Sequence, residues 1–154
     1  MYKKIMVPLD GSELAECVLP HVEAFIKGFN ISDLILVRVV EPETLPYRIE
    51  GSVDPQIIAE KEATRKSAAK NYLEGIVKRF SREGTAVHSE VIIGRVTESL
   101  ADHAEENDVD VFIIATHGRS GVTRWVMGSV ADKLLRSARV PVLMVRAPGA
   151  KGGM

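Results

Sequence analysis

Four short runs in this chain are aliphatic almost throughout: residues 5–8 (IMVP), 34–40 (LILVRVV), Val111–Ala115 (VFIIA) and Val142–Val145 (VLMV). They lack the alternation of a strand with one wet face. Such runs suit parallel strands covered on both sides, where a side chain on either face meets a helix instead of water. A fifth candidate, residues 85–93 (TAVHSEVII), alternates early and turns apolar late, which reads as an edge strand. Helical patterns fill residues 12–29, 54–82, 97–107 and 129–138. Ser12 and Thr97 stand where N-caps belong, and Ser129 followed by Asp132 resembles a capping box with Asp in place of Glu. Pro20 falls inside the first helical pattern, where it kinks or divides the helix. In the last pattern Val130, Leu134 and Ala138 recur every four residues, one stripe to set against a sheet.

The resulting order is β-α-β-α-β-α-β-α-β. A helix in every crossover makes the connections right-handed and the strands parallel. The expected fold is therefore α/β, a doubly wound five-stranded parallel sheet of order 3-2-1-4-5 with helices on both faces. A chain of 154 residues accommodates one such domain, placed at residues 1–148 with a flexible tail at 149–154. The single cysteine, Cys17, excludes an internal disulfide framework and a multi-cysteine zinc site. No stretch approaches the roughly 20 apolar residues of a membrane-spanning helix, and the N-terminus lacks the apolar core of a signal peptide, so a cytoplasmic protein without a membrane partner is expected.

In a doubly wound sheet the ligand lies beyond the carboxyl ends of the strands, where the chain order reverses. Pro8, Leu9 and Asp10 follow the first strand, residues 39–41 the second, Gly94 the third and residues 116–121 the fourth. The irregular connection 41–55, with three prolines and a glycine, is placed to fold over a ligand. Charge is uneven. Residues 116–146 hold six basic side chains against one acid, a net +5, within a chain of net charge -1. That balance excludes a bulk nucleic-acid binder and fits a small polyanion. The same region carries Gly118, Gly121 and Gly128, the last leading through Ser129 into a helix. Glycines admit a close backbone approach to an anion, and a helix start adds unpaired N–H groups. Neither GxxxxGK[ST] nor GxGxxG is present.

The stretch Ala115-Thr116-His117-Gly118, nine residues, then Gly128-Ser129 resembles the G-x2-G-x9-G-[ST] motif of the universal stress protein family, with Ala115 in place of the first glycine. The likeness extends to PLDGSELAE after the first strand, to IIGRV at residues 92–96 and to the closing ARVPVLMV. It implies a dimeric, often stress-related protein whose nucleotide-binding members hold ATP: family contacts carry over to Pro8, Leu9, Asp10 and Val39 for the adenosine and to Gly118, Gly128 and Ser129 for the phosphates. Ala115, His117, Arg119, Gly121 and Val130 complete the candidate cradle, with Mg2+ as the accompanying ion. The resemblance also points to a homodimer formed through residues 140–146, with Val140 and Arg146 at its ends, and to a downstream protein partner. The methyl of Ala115 is harmless if that position packs beneath the phosphates, and obstructive if the backbone there touches them or holds a positive φ.

Other constellations carry less. The four histidines, His21, His88, His103 and His117, have no metal-ligand spacing. Cys17 reads as a buried structural thiol. No paired acids adjoin the first strand as a phosphoacceptor domain requires. Trp125 and Met127 read as apolar anchors beneath the loop. No general base is evident at the phosphate end, so the expected function is an ATP-binding stress-response or regulatory module with at most slow hydrolysis. The alternatives are a slow ATP hydrolase and a nucleotide-free dimeric interaction protein of the same fold.

Overall fold

The computed structural model describes residues 1–42, 54–81, 84–116 and 129–147. Strand β1 (Lys4–Pro8) leads through a 3-10 turn (Ala15–Val18) into helix α1 (Leu19–Phe29); then follow β2 (Asp33–Val40), α2 (Pro55–Phe80), β3 (Ala86–Ile93), α3 (Val96–Glu106), β4 (Val111–Ala115), α4 (Ser129–Ser137) and β5 (Val142–Val145). The five strands form one parallel sheet of order β3-β2-β1-β4-β5, as the run pattern predicts. β3 occupies an edge, in keeping with its alternation.

Successive side chains in a strand point to opposite faces, and the core divides accordingly. Ile5, Val7, Leu34, Leu36, Val111 and Ile113 pack with Val18, Leu19 and Val22 of the 3-10 turn and α1 and with Leu73 and Phe80 of α2. Met6, Ile35, Val37, Phe112 and Ile114 pack on the other face with Leu100 and Ala104 of α3 and Ala131 and Leu134 of α4. Both faces of the central strands are thus dry, which is why their sequences show no polar alternation.

Local chemistry sets the helix ends. Pro20 divides the first helical pattern: the 3-10 turn ends at Val18, and Pro20 sits in the first turn of α1, where its missing N–H removes no helical bond. Asn30 closes α1 in the left-handed region, at φ 52°. Asp54 caps α2, its carboxylate accepting from the Gln56 N–H at 2.9 Å. Ser12 is not the N-cap expected of it: Leu14 holds that place before the 3-10 turn, and Ser12 accepts from the Ala15 N–H at 3.2 Å from within the preceding Asp10 turn.

Thr97 is a correction. It is not the N-cap of α3; Arg95 holds that place, Thr97 lies inside the first turn, and its residue is only 9% exposed. The cause is how the preceding strand ends. Gly94 still donates to the Val40 carbonyl at 3.1 Å, and the Ser99 N–H already donates to the Arg95 carbonyl at 2.9 Å, so the helix begins as soon as the ladder stops. Ser129 is the first residue of α4, while Asp132 pairs with Arg136 one turn later at 3.3 Å.

Candidate functional site

The two halves of the sheet meet on a short ladder. β1 pairs with β4 only at Ile5–Val111 and Met6–Phe112, although β1 runs on to Pro8 and β4 to Ala115. On its other side β1 stays in register with β2 as far as Pro8–Val37, and the Leu9 N–H extends that ladder to the Val37 carbonyl at 2.8 Å. Pro8 has no N–H to donate. The chain leaving β1 therefore follows β2, and β4 follows β5, whose Val145 carbonyl accepts from the Thr116 N–H at 2.9 Å. The strand order reverses where the two halves part, the position at which doubly wound sheets hold ligands.

Beyond Leu9 the chain makes a tight turn. Asp10 accepts from both the backbone N–H and the hydroxyl of Ser12, at 2.9 and 2.5 Å. This side-chain turn holds the carboxylate at the strand end. Gly11 follows at φ +86°, and a Cβ there would stand 3.1 Å from Nη1 of Arg38. The positive φ favours glycine, and an added Cβ would press on the tip of the Arg38 side chain. Asp10, Gly11, Arg38 and Val39 line a cleft of about 640 Å³, closed by Tyr72 and Arg65 of α2 and by Val96 of α3.

The hydroxyl of Tyr72 is buried and has no hydrogen-bond partner among the described residues. Burial, with the negative charges of Glu16 and Asp10, pushes its pKa well above the usual tyrosine range, while Arg38 acts in the opposite sense. Glu16 stands near enough to favour the protonated phenol yet outside hydrogen-bond geometry. Cys17 is half-buried, and desolvation raises its pKa, which is the wrong direction for an attacking thiolate. Among the described residues no three His, Cys, Asp or Glu side chains gather as a metal site.

Asp10 and Val39 thus come together in one cleft. Pro8 and Leu9 adjoin it as the end of β1, but the Leu9 side chain is only 4% exposed and belongs to the core. Ala115 ends β4 opposite Val145, buried in the core on the α1 side of the sheet. Among the described non-glycine residues only Asn30 and Asp108 have positive φ, so Ala115 does not occupy the left-handed region. Ser129 and Val130 open α4, Ser129 exposed and Val130 packed partly against the α3 side of the core. His117, Gly118, Arg119, Gly121 and Gly128 lie outside the described residues, as do Trp125 and Met127. The connection at 43–53 and residues 148–154, with the expected tail, do so too.

Arg38 and Tyr72 escaped the sequence reading. Arg38 left a signal, being the one charge in an otherwise aliphatic strand, LILVRVV. A cation there is either at a strand end or answered by acids, and here it is both near the end of β2 and close to the Asp10 turn. Tyr72 left none, since a tyrosine on the apolar stripe of a helix is ordinarily core.

The universal stress protein family model matches residues 1–146. Universal stress protein MJ0577 of Methanocaldococcus jannaschii is 31% identical over 156 residues, covering 95% of this chain and 96% of the relative. The solved structure of MJ0577 superposes with a TM-score of 0.81 at 33% identity, over 95% of this chain and 96% of that one. More distant likenesses show the fold alone. They include an Arabidopsis thaliana family protein with AMP bound (TM-score 0.62, 15% identity, 94% and 92% of the two chains) and the Archaeoglobus fulgidus protein in complex with dAMP (TM-score 0.54, 20% identity, 93% and 97%).

Proposed function

The chain belongs to the universal stress protein family, and from that premise we propose that it is a cytoplasmic ATP-binding regulatory module of the stress response, with at most slow hydrolysis. The observation that carries this reading is the cleft at the carboxyl ends of β1 and β2, which brings Asp10 and Val39 together. Its composition suits an adenosine: Val39, Val40 and Val96 offer apolar surface to a base, and Asp10 offers a hydroxyl acceptor to a sugar. Relatives of the same fold solved with AMP and dAMP add support.

In this reading Pro8, Leu9, Asp10 and Val39 hold the adenosine. The triphosphate lies along Ala115, His117, Gly118, Arg119, Gly121, Gly128, Ser129 and Val130. The inward packing of Ala115 supports its accommodation, because its methyl is buried in the core and its φ is not one that glycine alone tolerates. Mg2+ would be held mainly by phosphate oxygens and water, a mode that asks for no preformed protein cage.

Calorimetric titration of nucleotide-stripped protein with adenosine, AMP and Mg-ATP tests the assignment. ATP is expected to bind most tightly, with a preference over adenosine that shrinks as salt rises. Equal affinities would remove the phosphate cradle, and no binding below about millimolar ligand, an affinity of about 4 kcal/mol, would leave the nucleotide-free interaction protein.

Assembly follows from the other end of the sheet. β5 is an edge strand, and an edge with unpaired donors and acceptors invites cover. A symmetric homodimer through residues 140–146 supplies it, and a downstream protein would then meet a paired surface. Sedimentation at tens of micromolar protein is expected to report a dimer; a monomer would reject this interface.

A further inference from the structure

We infer that Tyr72 reads a ribose hydroxyl in the cleft and so makes the protein discriminate against nucleotides that lack that hydroxyl; the inference rests on the nucleotide reading above. The Tyr72 hydroxyl is shut off from solvent and has no hydrogen-bond partner among the described residues, although it belongs to a residue lining the cleft. A buried hydroxyl left unpaired is costly, and a cleft-lining one is completed when a ligand supplies the missing partner.

The neighbours say which part of a nucleotide that partner is. The cleft presents the Asp10 carboxylate, an acceptor, and the Arg38 guanidinium, a donor, beside the phenol, which both donates and accepts. Burial and the nearby acids keep the phenol protonated at neutral pH, so its donor capacity is retained. A ribose diol offers two hydroxyls, each donor and acceptor, and matches this set. A phosphate matches it poorly, since Asp10 and Glu41 share the cleft and Glu16 acts on the same hydroxyl. The base has an apolar wall available at Val39 and Val96. A site with a polar group placed for a ligand hydroxyl discriminates against the analogue that lacks it, because the group is then left unpaired.

The test compares ATP with 2′-deoxy-ATP and 3′-deoxy-ATP by calorimetry, on the wild-type protein and on Tyr72→Phe, which removes one oxygen and keeps the ring. At least one deoxy analogue is expected to bind the wild type fivefold or more weakly than ATP. That deficit should vanish in Tyr72→Phe, whose affinity for ATP falls to the level of the analogue. A smaller deficit in the wild type overturns the inference while leaving ATP binding intact, and would place a water or Glu16 on the phenol instead. A deficit that survives Tyr72→Phe, in protein shown by circular dichroism to be folded, assigns discrimination to another residue and also overturns it. Failure of the wild type to bind ATP at all removes the nucleotide reading, and this inference with it.

Discussion

Phe112→Ala is expected to lower the free energy of unfolding by about 3–5 kcal/mol, the range for removing a fully buried aromatic ring. Phe112 is 0% exposed and lies in β4, between Met6 of β1 and Val142 of β5. Its ring belongs to the core on the α3 and α4 face, with Leu100, Val109 and Leu134. The Phe112 N–H donates to the Pro141 carbonyl at 2.9 Å, so the backbone is anchored and unable to collapse freely into the space left behind. Leu135→Ala is the control, at a residue 44% exposed, with an expected change within about 0.5 kcal/mol. Urea unfolding of both variants measures the contrast, and a Phe112→Ala loss below about 1 kcal/mol, less than even a modest core truncation, would mean that this face is loosely packed.

Gly128→Val is expected to weaken ATP binding at least about tenfold, or roughly 1.4 kcal/mol. The argument is the proposed phosphate role of the motif glycine just before α4: a branched side chain at that position obstructs an anion's approach to the N–H groups of the helix start. Ser129→Ala should lose less, giving up one hydroxyl. Titration of folded Gly128→Val with ATP decides it, and an unchanged affinity would detach the glycine motif from the phosphates.

The strands were readable because burial on both faces writes itself as uninterrupted aliphatic sequence; Val111–Ala115 and Val142–Val145 coincide with β4 and β5 to the residue. The alternation of residues 85–93 marked β3 as an edge strand, which suits order 3-2-1-4-5 in a doubly wound sheet. The helix starts were less legible. Thr97 has the chemistry of a cap, but the position is decided by where the β3 ladder releases the chain, at Gly94, which is a tertiary fact. The site shows the same division. Asp10 and Val39 could be placed at strand ends from the sequence, whereas Tyr72 reaches the cleft from the middle of a 26-residue helix whose rotation about its own axis is set by packing.

The two-rung ladder between β1 and β4 also bears on mechanics. Three strands stand on one side of it and two on the other, each group internally paired over longer stretches. A ligand that spans from the cleft at the ends of β1 and β2 to the end of β4, as the proposed phosphate site requires, would act as a clamp across the weakest line of backbone pairing, and its binding free energy would add to the cohesion of the whole domain, about 2.7 kcal/mol at a hundredfold excess over its dissociation constant. Occupancy of the cleft would then be legible far from it, as a sheet that shears less readily along its own midline.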